Sequence, residues 1–173
     1  MIGNDVVDLA LARKESNWQR KGFLAKLFTL QEQRDILTSD NPVITIWTKW
    51  SRKEAAYKIY NRQTGIRAFI PLLFESVENT ATSGNVICKG TTYYTITAIT
   101  SDSIHTIAVA DPAEFLKVRF LNNRKGLEKV NGIPYIGQCP VSISTHGRFE
   151  EIVTLQSYRP SLDFNFKNNK AIV

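Results

Sequence analysis

The sequence predicts an α+β fold in which an N-terminal strand and several helices pack on an antiparallel sheet. Three observations lead there. Helix start signals gather between residues 16 and 42, and residues 43–60, free of Gly and Pro, follow them. After Gly65 the chain turns to segments rich in Ile, Val, Thr and Tyr, separated by turn residues. With 173 residues, 43% of them hydrophobic, the chain is long enough to bury about 70% of its extended surface around one core.

The elements follow in order. Residues 2–9 are short, apolar and β-branched, as a buried strand requires. Ser16 with Gln19, and Thr29 with Glu32, have the capping-box spacing, which predicts helices over 17–27 and 30–38. Asn41 is a capping residue and Pro42 suits the first helical position. Val43, Ile46, Trp50, Tyr57 and Tyr60 then fall on one helical face, and the helix should end before Gly65. Residues 69–78, 85–89, 92–100 and 104–110 read as strands, the last two joined by a turn at 101–103. Asp111 and Pro112 open a stretch over 111–130 that reads as helical. Residues 131–140 read as a Gly/Pro loop, and 141–144 and 150–155 as extended segments flanking Thr145–Arg148. A single domain over 1–155 with a loose polar tail over 156–173 is the resulting organisation.

Bulk properties narrow the function classes. Lys and Arg number 22 against 16 acidic residues, a formal charge of +6. This favours an anionic partner: nucleic acid, a phosphorylated small molecule or an acidic protein. The charge is spread along the chain, so nucleic acid is the weaker reading. Cys88 and Cys139 have neither zinc nor redox-motif spacing. No segment approaches 18 apolar residues and "MIGNDVVDLA" has no basic leader, which predicts a soluble cytoplasmic protein without a membrane span.

Three stretches carry candidate chemistry. In "TKWSRKEAAYK", Glu54 and Lys58 lie one turn apart, with Glu54 at the edge of the apolar stripe beside Trp50. Partial desolvation there would strengthen a cation's hold on the carboxylate; spacing alone leaves an ordinary surface ion pair open. In "GNDVVDL", Asp5 sits in an apolar strand, where a lone carboxylate is costly unless it is paired or binds a metal. The strand alternation turns Asp8 to the opposite face, and a cap on the following turn is the plainer reading of Asp5. "VSISTHGRF", residues 141–149, offers Ser142 and Ser144 on one side and a glycine that lets backbone approach an anion.

Together, Gly3-Asn4-Asp5-Val6-Val7-Asp8 and Trp50-Ser51-Arg52-Lys53-Glu54-Ala55-Ala56-Tyr57-Lys58 resemble the 4'-phosphopantetheinyl transferases. Thr64-Gly65-Ile66 and the position of the aspartate motif at the N-terminus resemble the holo-acyl-carrier-protein synthase branch. The resemblance covers residues 2–9 and 44–66, and it implies a phosphopantetheinyl-transferase-like fold. It also implies transfer of the phosphopantetheine arm of coenzyme A to a serine of an apo carrier protein, with release of 3',5'-ADP. Asp5 and Glu54 match the family's Mg²⁺ ligands. Glu54, directly or through a water, would take the serine proton, and Lys58 would contact phosphate. Val7 stands where the surfactin-type branch has a second acid, so water would replace that ligand.

Residues 141–148 resemble the surfactin-type Val-Ser-x-Ser-His-x-Gly-Arg motif, which binds coenzyme A phosphates. Ser144, Gly147 and Arg148 match, Thr145 holds the histidine position and His146 follows it. The coenzyme A set implied is Lys49, Lys53, Lys58, Gly65, Ser144, Thr145, His146 and Arg148. The carrier proteins of the family are acidic, so Arg13, Lys14, Arg20 and Lys21 are candidate docking residues, against a plain solvated helix face. Trimer and monomer both stay open. The alternative reading is a catalytically degenerate basic module that binds an acidic protein or nucleic acid.

Overall fold

A computed structural model describes residues 1–156; the loose tail expected over 156–173 lies, from residue 157 on, outside the described residues. The chain runs as β1 (Ile2–Asp8), α1 (Leu9–Glu15), α2 (Phe23–Leu27), α3 (Leu30–Thr38) and α4 (Pro42–Thr64). Strands β2 (Phe74–Thr80), β3 (Ser83–Cys88), β4 (Thr91–Ile99) and β5 (Ser103–Val109) follow. The last five strands are β6 (Val118–Phe120), β7 (Leu127–Val130), β8 (Ile133–Ile136), β9 (Cys139–His146) and β10 (Phe149–Leu155). They form two five-stranded sheets, ordered β1-β5-β4-β3-β2 and β6-β10-β9-β8-β7. Each strand pairing is antiparallel. The architecture is the α+β class that the sequence predicts.

Helix α4 organises the molecule. Asn41 caps it through Ile44 N, Pro42 opens it, and Gly65 closes it in the left-handed conformation at φ 73°. The expected apolar face is only part of its buried surface, because Lys49, Ser51, Arg52 and Lys53 are buried as well. Ala55, Ala56 and Ile59 pack with Phe74, Val86 and Tyr93 from the first sheet. Strand β1 crosses α4 at Gly3, where a Cβ atom would lie 2.0 Å from the Ala55 carbonyl oxygen. The motif glycine is therefore required by close approach. Gly3→Ala is expected to lower stability by about 1–3 kcal/mol, measured by urea unfolding. An unchanged midpoint would show that strand and helix can part without cost.

The second edge of β1 is closed by side chains. Edge amides left open are costly or invite pairing. Asn4 N donates to Ser142 Oγ at 2.9 Å, Val6 N to Ser144 Oγ at 3.1 Å and Asp8 N to His146 Nδ1 at 2.8 Å. The acceptors stand at every second residue of β9, matching the two-residue period of the strand they serve. From α4, Arg62 donates to Ile2 O at 2.8 Å and Val141 O at 2.6 Å. Lys58 donates to Asn4 O at 2.6 Å and Ile143 O at 3.0 Å. Helix, first sheet and second sheet are thus joined along β1.

Several local expectations are corrected. The first strand ends at Asp8, whose Oδ1 accepts from Ala10 N and Leu11 N and starts α1. The helix expected over 17–27 shrinks to α2, with Gly22 in the left-handed region at φ 82° before it. Asp111 does cap a turn at Ala113 N, but only a 3₁₀ segment over Pro112–Lys117 forms. Two strands then take the place of a helix: Val118 and Phe120 in β6 pair with Leu155 and Val153, and after a loop Gly126 at φ 75° turns the chain into β7. Part of the expected 131–140 loop is β8. No helix among the described residues is long and apolar enough to cross a membrane.

Candidate active site

The crossing of β1 and α4 opens a cleft of about 370 Å³. Asp5, Glu54, Thr145 and His146 supply its polar lining; Phe23, Leu27, Trp47 and Trp50 form much of its apolar wall. On α4, Ser51, Glu54, Lys58 and Arg62 recur every three or four residues and so face β1 together.

Two carboxylates share this cleft. Burial pushes the Asp5 carboxyl up, against the Lys58 charge and the hydroxyls of Ser144 and Ser51. Glu54 is pushed up to about 7, first by burial and then by the Asp5 charge, with Lys58 opposing. Burial lowers Lys58, while Asp5 and Glu54 raise it. Ser144 Oγ donates to Asp5 Oδ1 at 3.0 Å. Asp5 Oδ2 is buried and has no hydrogen-bond partner among the described residues. Like charges held close, one oxygen unpaired and the Lys58 ammonium beside them make a site that a divalent cation would suit. No cluster of three or more His, Cys, Asp or Glu side chains suited to a metal occurs among the described residues. The protein side therefore offers Asp5 and Glu54, and water and substrate oxygens would complete the shell.

The sequence comparison decides the family: the model of the 4'-phosphopantetheinyl transferase superfamily matches residues 1–110. The chain belongs to this superfamily. The match spans β1 to β5 and stops before the second sheet. No curated protein matches the sequence. Among solved structures, holo-[acyl-carrier-protein] synthase from Neisseria meningitidis aligns with a TM-score of 0.53 at 17% identity, covering 64% of this chain and 96% of that one. An apo-ACPS structure from Chronobacterium ammoiniagenes aligns with a TM-score of 0.46 at 15% identity, over 62% and 93% of the two chains.

In this superfamily member, the residues expected at the site divide into two groups. Asp5, Glu54, Thr145 and His146 line the cleft, and Lys58 adjoins the two acids. Thr145 Oγ1 donates to Glu150 at 3.2 Å, and His146 Nε2 lies 3.6 Å from Glu15. Lys49 and Lys53, expected to contact coenzyme A, are not among the residues that line the cleft. Lys49 Nζ donates to Asp35 at 2.8 Å and to Ser76 O at 3.2 Å. Lys53 Nζ lies 2.6 Å from Glu32 and donates to Leu27 O and Pro71 O. The reason is helix phase: Lys49 and Lys53 share a face, about 140° and 100° round the axis from Glu54.

Gly65 ends α4 about 16 Å along the axis from Glu54, where its role is the left-handed cap. Arg148 is half-exposed, but its guanidinium donates to both oxygens of Asp8, at 2.9 and 3.0 Å, and to Asp102 at 3.2 Å. Arg148 N adds a further bond to Asp8 Oδ2 at 3.0 Å. These bonds hold the Asp8 carboxyl well below the usual carboxylate range. "VSISTHGRF" is therefore a strand clamp and a hairpin turn more than an open phosphate cradle. Gly147, at φ 55°, opens the two-residue turn, and a Cβ there would lie 2.5 Å from Asp8 Oδ2. Arg13, Lys14, Arg20 and Lys21 are all exposed, on α1 and on the turn before α2.

Sequence reasoning missed the structural roles of Asp8, Ser51 and Ser142. Ser51 Oγ donates to Asp5 O at 3.3 Å and braces β1 from the helix. The two-residue spacing of Ser142, Ser144 and His146 was the visible signal for the clamp. Its partner strand lies at the other end of the chain.

Proposed function

We propose that the protein transfers the 4'-phosphopantetheine arm of coenzyme A to a serine hydroxyl of an apo carrier protein, with Mg²⁺ held by Asp5 and Glu54. The observation that carries this reading is that Asp5 and Glu54 line one cleft, with the Lys58 charge acting on both, on a superfamily fold. The serine oxygen forms a bond to the β-phosphorus, the pyrophosphate P–O bond breaks, and 3',5'-ADP leaves with the electron pair. Bound Mg²⁺ would supply charge neutralisation to the pyrophosphate.

The remaining chemistry falls to the chain's own side chains. Glu54, directly or through a water, would accept the serine proton as general base. Lys58 has three N–H donors, of which two are held by Asn4 O and Ile143 O. The third has no hydrogen-bond partner among the described residues and would approach a phosphate oxygen. The apolar walls of Trp47, Trp50, Phe23 and Leu27 lower the local dielectric and strengthen each of these interactions. The exposed Arg13, Lys14, Arg20 and Lys21 suit an acidic carrier protein.

Purified full-length protein, coenzyme A and Mg²⁺ incubated with a panel of apo acyl and peptidyl carrier proteins should give at least one carrier a mass gain of one phosphopantetheine arm. No mass gain on any carrier, together with salt-sensitive binding to nucleic acid, would overturn the transferase reading and leave the basic binding module.

A further inference from the structure

The β9–β10 hairpin lies beyond the residues matched to the superfamily, yet it reaches the acidic pair. Ser144 is buried, and its hydroxyl is used twice. It accepts from Val6 N at 3.1 Å and donates to Asp5 Oδ1 at 3.0 Å. A hydroxyl has one proton and two lone pairs. With Val6 N–H on a lone pair, the proton is directed at the carboxylate. Oδ1 is thereby pinned, and Oδ2 is the oxygen without a partner among the described residues. Ser142 provides an internal comparison. Two residues earlier in the same strand, it accepts from Asn4 N at 2.9 Å and is fully buried. It closes the same strand edge as Ser144 does, through a backbone amide of β1.

We infer that Ser144 is a positioning residue for a divalent cation: it holds Oδ1 and so fixes the orientation of the Asp5 carboxylate, leaving Oδ2 as the oxygen without a protein partner among the described residues. This rests on the proposed role of Asp5 as a ligand. Groups that orient a ligating carboxylate commonly change metal affinity by 10- to 100-fold. The locking hydroxyl comes from the second sheet, so the appended hairpin is part of the site and not only a brace for β1.

Mn²⁺ is a suitable probe, because free Mn²⁺ is counted directly by electron paramagnetic resonance, without turnover or substrate. On the full chain, Ser144→Ala is expected to weaken Mn²⁺ binding about 10-fold or more, while Ser142→Ala keeps the wild-type affinity. Both variants should lose thermal stability, since each strands one buried backbone amide, and Ser144→Ala somewhat more because it also removes the bond to Asp5. Asp5→Asn supplies the reference. If Asp5→Asn abolishes binding and Ser144→Ala binds as the wild type does, the positioning role is wrong and the ligand role stands. If Asp5→Asn binds as the wild type does, the ligand role fails and the inference goes with it. Equal weakening in Ser142→Ala and Ser144→Ala would reduce the effect to strand stability and overturn the inference.

Discussion

Glu54→Gln is expected to lower phosphopantetheinyl transfer by at least about 100-fold, the scale on which a general base contributes, while the protein stays folded. The substitution keeps the shape of the side chain and removes both its charge and its basicity. It strikes two proposed roles at once, cation ligand and proton acceptor, so residual turnover should be small. Mass spectrometry of a responsive carrier protein measures it, with circular dichroism as the control for folding. Wild-type-like turnover would remove Glu54 from the chemistry.

The same variant tests the electrostatics of the cleft. Glu54 has an ordinary value of 4.5 and is pushed up to about 7 in the fold. The folded state thus holds this proton more tightly than the unfolded state does. Its contribution to stability is fully present below about 4.5 and is lost as pH rises through about 7. The loss approaches about 3 kcal/mol, from 1.36 kcal/mol for each pKa unit. Asp5 is shifted in the same direction and adds to the same slope. In metal-free protein, urea unfolding should show stability declining across that interval, and Glu54→Gln should flatten the decline. An unchanged slope would place Glu54 in a far wetter environment.

Lys53→Met is expected to destabilise the fold by about 3–5 kcal/mol, the cost of leaving a buried partner charge uncompensated. Lys53 is 0% exposed and Glu32 1%. The Glu32 carboxylate also accepts from Thr29 N and Ser76 N, both at 2.8 Å, so it is held in place when the ammonium is removed. Burial lowers the Lys53 pKa and the Glu32 charge raises it. Adding Glu32→Gln to Lys53→Met should recover part of the loss, because the stranded charge is then gone. Urea unfolding of the single and double variants measures this. The variant that remains folded should keep the wild-type KM for coenzyme A. A raised KM with unaltered stability would return Lys53 to the substrate.

Local signals in the sequence were legible where their partners are near neighbours. Asn41 with Pro42 and Gly65 bounded α4, and Thr29 with Glu32 formed the capping box of α3. The turn over 101–103 joined β4 to β5. The same local logic failed over 111–130. The cap at Asp111 is real, but Val118 and Phe120 pack with Val153 and Leu155, and pairing with β10 overrides helix propensity. Asp5, Glu54 and Lys58 were legible as a set because two motifs carry them, and the fold brings them together.

By itself, the sequence determined the α+β class and the limits of the central helix, because those depend on caps and periods within a few residues. It pointed to the acid–acid–lysine trio only through the resemblance of two motifs to a family, since the spacing of the three residues also suits an ordinary ion pair and a turn cap. Tertiary structure alone decided which lysine on α4 faces the cleft and which faces Glu32. It also decided that Asp8 anchors Arg148 and that the serines of β9 close the edge of β1. Those partners lie more than a hundred residues away in the chain, or on the far side of a helix whose rotation only packing sets.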